Sequence, residues 1–178
     1  MKLKYLGTAA AEGIPGMFCN CRVCRNALAV RNKEIKTRSQ ALIDGKLLID
    51  FPPDTYMHIL NYLRGIHHCI ITHNHSDHLY PNDFWCRFES IAHGIGDEPF
   101  NVYVTESGYK KIRDMYGDKT DSSRLKVHKI TPYEAFDVEE YHIIPLSANH
   151  DPAADPVIYI IENGGKSILY AHDTGIFP

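Results

Sequence analysis

The chain has 178 residues, a length at which one domain is the default and a real core can be buried. Nineteen basic against 22 acidic residues leave a formal charge of -3 and a pI near 6.4, so no global field recruits nucleic acid or an anionic membrane. The longest apolar runs, such as Leu47-Leu48-Ile49, fall far short of the ~20 residues of a membrane helix, and the first residues reach Gly7 before any signal-like apolar stretch, so the expected location is the cytoplasm.

In chain order, residues 2–6 alternate and predict an opening strand, followed over 7–16 by a small-residue loop punctuated by Gly and Pro. That loop runs into Cys19, Cys21 and Cys24. Five cysteines are an odd number, and three so closely spaced argue for metal binding by thiolates over a disulfide framework. Residues 40–44 and 46–50 are apolar runs joined at Asp44-Gly45, a hairpin signal, and Asp50 closes the second. From Asp54 the spacing turns helical, with Tyr56, Ile59, Leu60 and Leu63 on one face and a stop at Gly65. Residues 67–72 predict a strand, 82–93 a helix, 101–105 a strand, 106–116 a helix and 124–130 a strand. The remainder is β-rich, with strands over 141–147, 157–162 and 166–172, the last two joined by the hairpin turn Asn163-Gly164-Gly165. Nothing divides the chain, so residues 1–178 are expected to form a single domain. It stops just past a strand, as a fold cut short would.

Thr72-His73-Asn74-His75-Ser76-Asp77-His78 places His73, His75, Asp77 and His78 at the carboxyl end of a predicted strand, where open α/β sheets put their ligands. In an extended segment His73 and His75 face one side, and Asp77 and His78 follow where the chain turns, so two adjacent sites can form. Imidazole and carboxylate suit zinc, iron or manganese, and two such ions ~3.5–4 Å apart clamp an anionic substrate and generate hydroxide near neutral pH. Hydrolysis is the chemistry this pattern points to. One loop cannot complete a binuclear site, and His150 and Asp173 are the downstream candidates, each at a strand-to-loop boundary where a plain turn residue is the alternative. Cys69 and Cys86 lack such neighbours and are expected to pack. Tyr80, Phe84, Trp85 and Phe88 have helical spacing and read as core, and Arg22, Arg25, Arg31, Lys33 and Lys36 as a solvated face. His172, by strand alternation, should point away from Asp173.

The order of Asp50, then residues 72–78, then His150, then Asp173-Thr174 resembles the metallo-β-lactamase superfamily across the whole chain. The resemblance implies an α/β fold, the αββα sandwich, incomplete at its carboxyl end. It further implies that His73, His75 and His150 bind one divalent ion, that Asp77 and His78 bind a second, and that Asp173 bridges them. Asp50 would orient the loop, or simply cap its strand. Asp77 would also act in catalysis by orienting the hydroxide between the metals. Gly7-Thr8, Gly13-Ile14-Pro15 and the cysteines resemble the phosphodiesterases of the carbon-phosphorus lyase pathway, and more loosely the pyrroloquinoline quinone biosynthesis protein B. In that group the three cysteines bind a structural zinc, which wants a fourth ligand not evident here. A phosphodiesterase acting on a small cyclic nucleotide or ribosyl-type diester is therefore the expected function. RNA 3′-end processing and a non-hydrolytic metal-binding role are the alternatives; the cysteine triad and the pI weigh against the first. One metal-ligating His and core elements of the second half would lie beyond Pro178. The 178-residue chain alone is thus expected to be weakly active or inactive, and to expose apolar surface that favours a homo-oligomer.

Overall fold

The structure, a computed structural model, describes residues 1–60, 62, 66–88, 91–94 and 96–176. Two sheets pack face to face. The first runs in spatial order β1 (Leu3–Gly7), β2 (Gln40–Ile43), β3 (Leu47–Ile49), β4 (His68–Ile70), β5 (Phe100–Val104) and β6 (Leu125–Lys129). It is antiparallel from β1 to β3 and parallel from β3 to β6. The second sheet is a fully antiparallel meander of β7 (Phe136–Val138), β8 (Tyr141–Ser147), β9 (Val157–Asn163) and β10 (Lys166–Tyr170). Gly164 and Gly165, at φ 56° and 73°, make the two-residue turn that joins β9 to β10, as their sequence predicts.

The alternation of each strand decides which core it feeds. Ala41, Ile43, Leu47, Ile49 and Ile70 face inward and meet Tyr141, Ile143, Val157, Tyr159, Ile161 and Tyr170 of the second sheet. Their neighbours Leu42, Leu48 and Cys69 face the other way, into a core shared with Phe84, Val102, Val104 and Ile112. Strands β2 to β4 are thus apolar on both faces, which is why they read as continuous apolar runs. Each of these Leu or Ile side chains, buried almost completely, contributes roughly 1.5–3 kcal/mol. The α-helices among the described residues are α1 (Arg22–Val30), α2 (Thr55–His58) and α3 (Glu106–Tyr116), with short 3₁₀ helices in the loops. Ile112 seats α3 against the first sheet, giving a helix, sheet, sheet arrangement. Among the described residues the fourth, helical layer of the expected sandwich is not present, and Leu169 on the outer face of the second sheet is 51% exposed. No described helix is long and apolar enough to cross a membrane.

Two predicted helices are corrected. The one starting at Asp54 is the single turn of α2, too short to present more than Thr55 and Ile59 inward, so Tyr56 and Leu60 are exposed; Leu63 and Gly65 lie outside the described residues. The one over 82–93 is a 3₁₀ helix over Pro81–Arg87, and residues 89–90 lie outside the described ones. Its tighter winding buries Phe84 and turns Trp85 outward, 47% exposed. Helix α1 and strand β7 are additions that the sequence pattern does not predict.

Candidate functional site

Three loops and one strand end converge at the same edge of the two sheets. Asp50 ends β3 in a left-handed backbone at φ 67°, a conformation that Asp tolerates better than most side chains. Its carboxylate is fully buried. It accepts hydrogen bonds from the Thr72 backbone N–H at 2.7 Å, from the Thr72 hydroxyl at 2.9 Å and from His78 Nδ1 at 2.8 Å. A buried charge so surrounded by donors is satisfied. After Thr72 the chain makes a compact loop, closed where the His78 and Leu79 N–H groups both donate to the His75 carbonyl, and returns beside Phe51. Lys111 of α3 braces this loop from behind, its ammonium donating to the carbonyls of Asn74 at 2.7 Å and Leu79 at 3.0 Å. The loop between β8 and β9 brings His150, and the loop after β10 brings Asp173, itself left-handed at φ 47°. Asn149 ties these last two loops together: its N–H donates to the Thr174 hydroxyl, and its carbonyl accepts from the Gly175 N–H.

All six residues expected in the binuclear site meet here. His73 Nε2 and His150 Nε2 lie 3.1 and 3.3 Å from His75 Nδ1. Three nitrogens each bonded to one zinc at 2.0–2.1 Å in a tetrahedral arrangement would be separated by about 3.3 Å; these two separations match that, and all three donors lie within 4.8 Å of one another. A second nest adjoins the first. Asp173 Oδ2 is 3.0 Å from His78 Nε2 and 3.9 Å from His73 Nε2, and Asp77 Oδ2 is 3.5 Å from His78 Nε2. His73 belongs to both nests, and Asp173 belongs to the second.

The outer ring nitrogens are held as well. His73 Nδ1 meets the Thr72 hydroxyl at 3.1 Å, His78 Nδ1 meets Asp50, and His75 Nε2 meets Asp151 Oδ2 at 3.1 Å. Burial, together with the neighbouring imidazole of His78, pushes His73 down to about 4. Burial also pulls on His78, but Asp50, Asp77 and Asp173 outweigh it and hold that imidazole up to about 9. His73 is therefore neutral near pH 7, with a lone pair free for a metal, whereas His78 would have to give up a proton to bind one.

Sequence reasoning missed Thr72, Lys111, Asn149 and Asp151, whose roles come from tertiary placement. It also misdirected His172. Strand β10 ends at Tyr170, so alternation does not extend to residue 172; its Nδ1 lies 3.1 Å from Asp173 Oδ1 and its ring 5.3 Å from that of His78.

The cysteines form a separate cluster, with one donor sulfur from each of Cys19, Cys21 and Cys24 and all three within 4.8 Å of one another. Cys21 caps α1, its sulfur accepting from the Cys24 N–H at 3.5 Å, and Cys24 Sγ accepts from the Gly16 N–H at 3.3 Å. That Cys24 N–H and the neighbouring thiols lower Cys21 to about 7, toward the thiolate a metal needs. Among the described residues no fourth ligand-type side chain joins them.

A two-sheet α/β scaffold with His and Asp donors gathered on the loops at one edge defines a metal-binding protein of the metallo-β-lactamase type. The chain belongs to the family described as the beta-lactamase superfamily domain, which matches residues 46–178. Among solved structures it is similar to zinc-bound PqqB from Methylobacterium extorquens, with a TM-score of 0.74 and 23% identity over 95% of this chain and 64% of that one. A diphosphatase of the PhnP family follows, with a TM-score of 0.68 and 23% identity over 93% of this chain and 62% of that one. The short form of human tRNase Z gives 0.65 and 16% over 95% and 68%. A curated protein of Porphyromonas gingivalis (strain ATCC BAA-308 / W83) named octanoyltransferase is 26% identical over 164 residues, 84% of this chain and 31% of that protein. The chain thus spans about a third of that curated relative and less than two thirds of the first two structures.

Proposed function

We propose that the protein is a metal-dependent hydrolase of a small phosphodiester. The observation that carries this is the convergence of His73 Nε2, His75 Nδ1 and His150 Nε2 beside a second nest in which Asp173 and Asp77 approach His78 and Asp173 also approaches His73. His73, His75 and His150 would hold one divalent ion, Asp77 and His78 the other, and Asp173 would reach both. Two divalent ions there supply Lewis acidity and water that ionises near neutral pH. The chain's own residues do the rest. Asp50 and Thr72 hold the loop, His73 stays neutral, and Asp77, partly exposed beside His78, would orient the attacking water. Cys19, Cys21 and Cys24 would bind a structural zinc that fastens the amino-terminal loop to α1. Two of the similar structures are a diphosphatase and a tRNase, and that pairing supports a phosphate ester as the substrate class. Zinc, manganese and iron all suit the His and carboxylate donors.

The test is metal analysis combined with turnover of bis(p-nitrophenyl) phosphate by the full-length protein loaded with zinc or manganese. Two ions at the histidine site and metal-dependent release of p-nitrophenol are expected. Full metal occupancy with no turnover of any phosphate ester would replace the hydrolase with a metal-binding protein that does not hydrolyse.

A further inference from the structure

Asp151 stands outside the ligand set proposed above, yet its carboxylate reaches that set from the rim. Oδ2 lies 3.1 Å from His75 Nε2, the ring nitrogen turned away from the cluster, while His75 Nδ1 faces His73 and His150. Oδ1 accepts from the Ala153 N–H at 3.0 Å, so the carboxylate is oriented by its own turn. An ionised carboxylate only accepts, so the nitrogen it meets must carry the proton, and in a neutral imidazole the other nitrogen then presents its lone pair. We propose that Asp151 is a positioning residue, holding the His75 ring with Nε2–H outward and Nδ1 offered to the metal; this rests on the reading of His75 as a ligand.

The segment that carries Asp151 is built as a bracket. Pro152 fixes the first position of a 3₁₀ turn over Pro152–Ala154, and Ala154 is buried at its end. Asp155 then closes the turn in the left-handed region, its carboxylate accepting from the Ser107 N–H at the start of α3 at 3.0 Å and its carbonyl from the Thr105 hydroxyl at 3.1 Å. The far end is thus anchored to the scaffold, and the near end bears on His75. The need is greater at this histidine than at His73 or His78. His73 and His78 are buried and their outer nitrogens meet Thr72 and Asp50 inside the protein, whereas the His75 side chain is 37% exposed. At the rim, without an anchored acceptor, the ring is free to flip and offer either nitrogen.

The experiment is zinc competition against a chromogenic chelator on the protein, wild type, Asp151→Ala, His75→Ala and the double variant. Asp151→Ala should weaken zinc binding about 10–100-fold. In the His75→Ala background the same change should have almost no further effect, because Asp151 acts only through that ring. Asp151→Asn, which keeps an acceptor oxygen but loses the charge, should fall between wild type and Asp151→Ala. The urea midpoint of metal-free Asp151→Ala should fall no further than loss of the Ala153 N–H cap explains, so that the lost affinity is not lost folding. Equal losses from Asp151→Ala with and without His75 would overturn the proposal, as would wild-type affinity in Asp151→Ala. If His75→Ala itself binds zinc as wild type does, it is the ligand reading of His75 that fails. Should Asp151→Ala not fold, Asp151→Asn takes its place in the comparison, and wild-type affinity in that variant overturns the proposal.

Discussion

Asp50→Asn probes how the buried end of the site is held. Asn is nearly isosteric and accepts the left-handed backbone at φ 67° as Asp does, so the change is confined to the charge and one acceptor. In the wild type Oδ1 accepts from the Thr72 N–H and Oδ2 from His78 Nδ1. An amide has one acceptor oxygen and sets its NH₂ against a donor, and each buried donor left without a partner costs about 1–3 kcal/mol. The charge matters separately. Against the pull of burial, Asp50, with smaller help from Asp77 and Asp173, raises His78 from its ordinary 6.5 to about 9, which corresponds to about 3 kcal/mol in the metal-free folded state. Because the folded value is raised, that stability is full below pH 6.5 and disappears as pH climbs through about 9. Breaking a buried pair typically costs about 3–5 kcal/mol, so a loss of that size is expected at pH 6, shrinking toward the orphaned-donor cost of about 1–3 kcal/mol at pH 10. Urea midpoints of the metal-free wild type and variant at the two pH values measure it. A loss of equal size at both would refute the charge argument, and no loss at either would refute the hydrogen-bond network itself.

Three further expectations rest on other parts of the site. His150→Ala removes an exposed member of the three-nitrogen nest, so elemental analysis should show one bound ion fewer while the melting of the metal-free protein stays unchanged. Lys111→Met keeps the aliphatic stem but deletes both donors to the metal loop; unfolding should cost about 1–3 kcal/mol less and zinc affinity should fall, with Lys111→Arg recovering part of each. Metal-free stability should also peak at about pH 6.5. His73, lowered to about 4, makes stability rise with pH from about 4 to 6.5, and His78, raised to about 9, makes it fall from there to about 9. Denaturant midpoints across pH 4–10 would show the dome, and a monotonic profile would contradict it.

The histidine-rich loop was legible because its information is local. His73, His75, Asp77 and His78 sit within one turn of chain, and their spacing alone puts donors on adjacent faces. His150 and Asp173 could be found next, since both follow strands that alternation reveals, and a strand end at a sheet edge is a narrow address. Helix α1 escaped notice for a chemical reason. Its cap is the sulfur of Cys21, not the oxygen of Ser, Thr, Asp or Asn by which helix starts are read, and its apolar residues Val23, Leu28 and Val30 are exposed. The helix predicted over 82–93 failed for the opposite reason: an apolar spacing of three or four fits a 3₁₀ turn as well as an α-helix over so short a run.

What no periodicity could supply is the set of groups that hold the ligands from outside. Asp50 and Thr72 are 22 positions apart, Lys111 lies 37 from Asn74, and Asp151 lies 76 from His75. Each pairing depends on how strands register and where a loop closes, and a shift of one residue would dissolve it without altering any local pattern. Asp50 was suggested by its place at a strand end together with the family resemblance; Asp151 ends nothing and looks like any residue before a proline. A site of this kind is therefore specified at two levels, donors by spacing and their orientation by topology. The ring nitrogen that each histidine offers to a metal belongs to the second level, because the acceptor on the far side of the ring decides it.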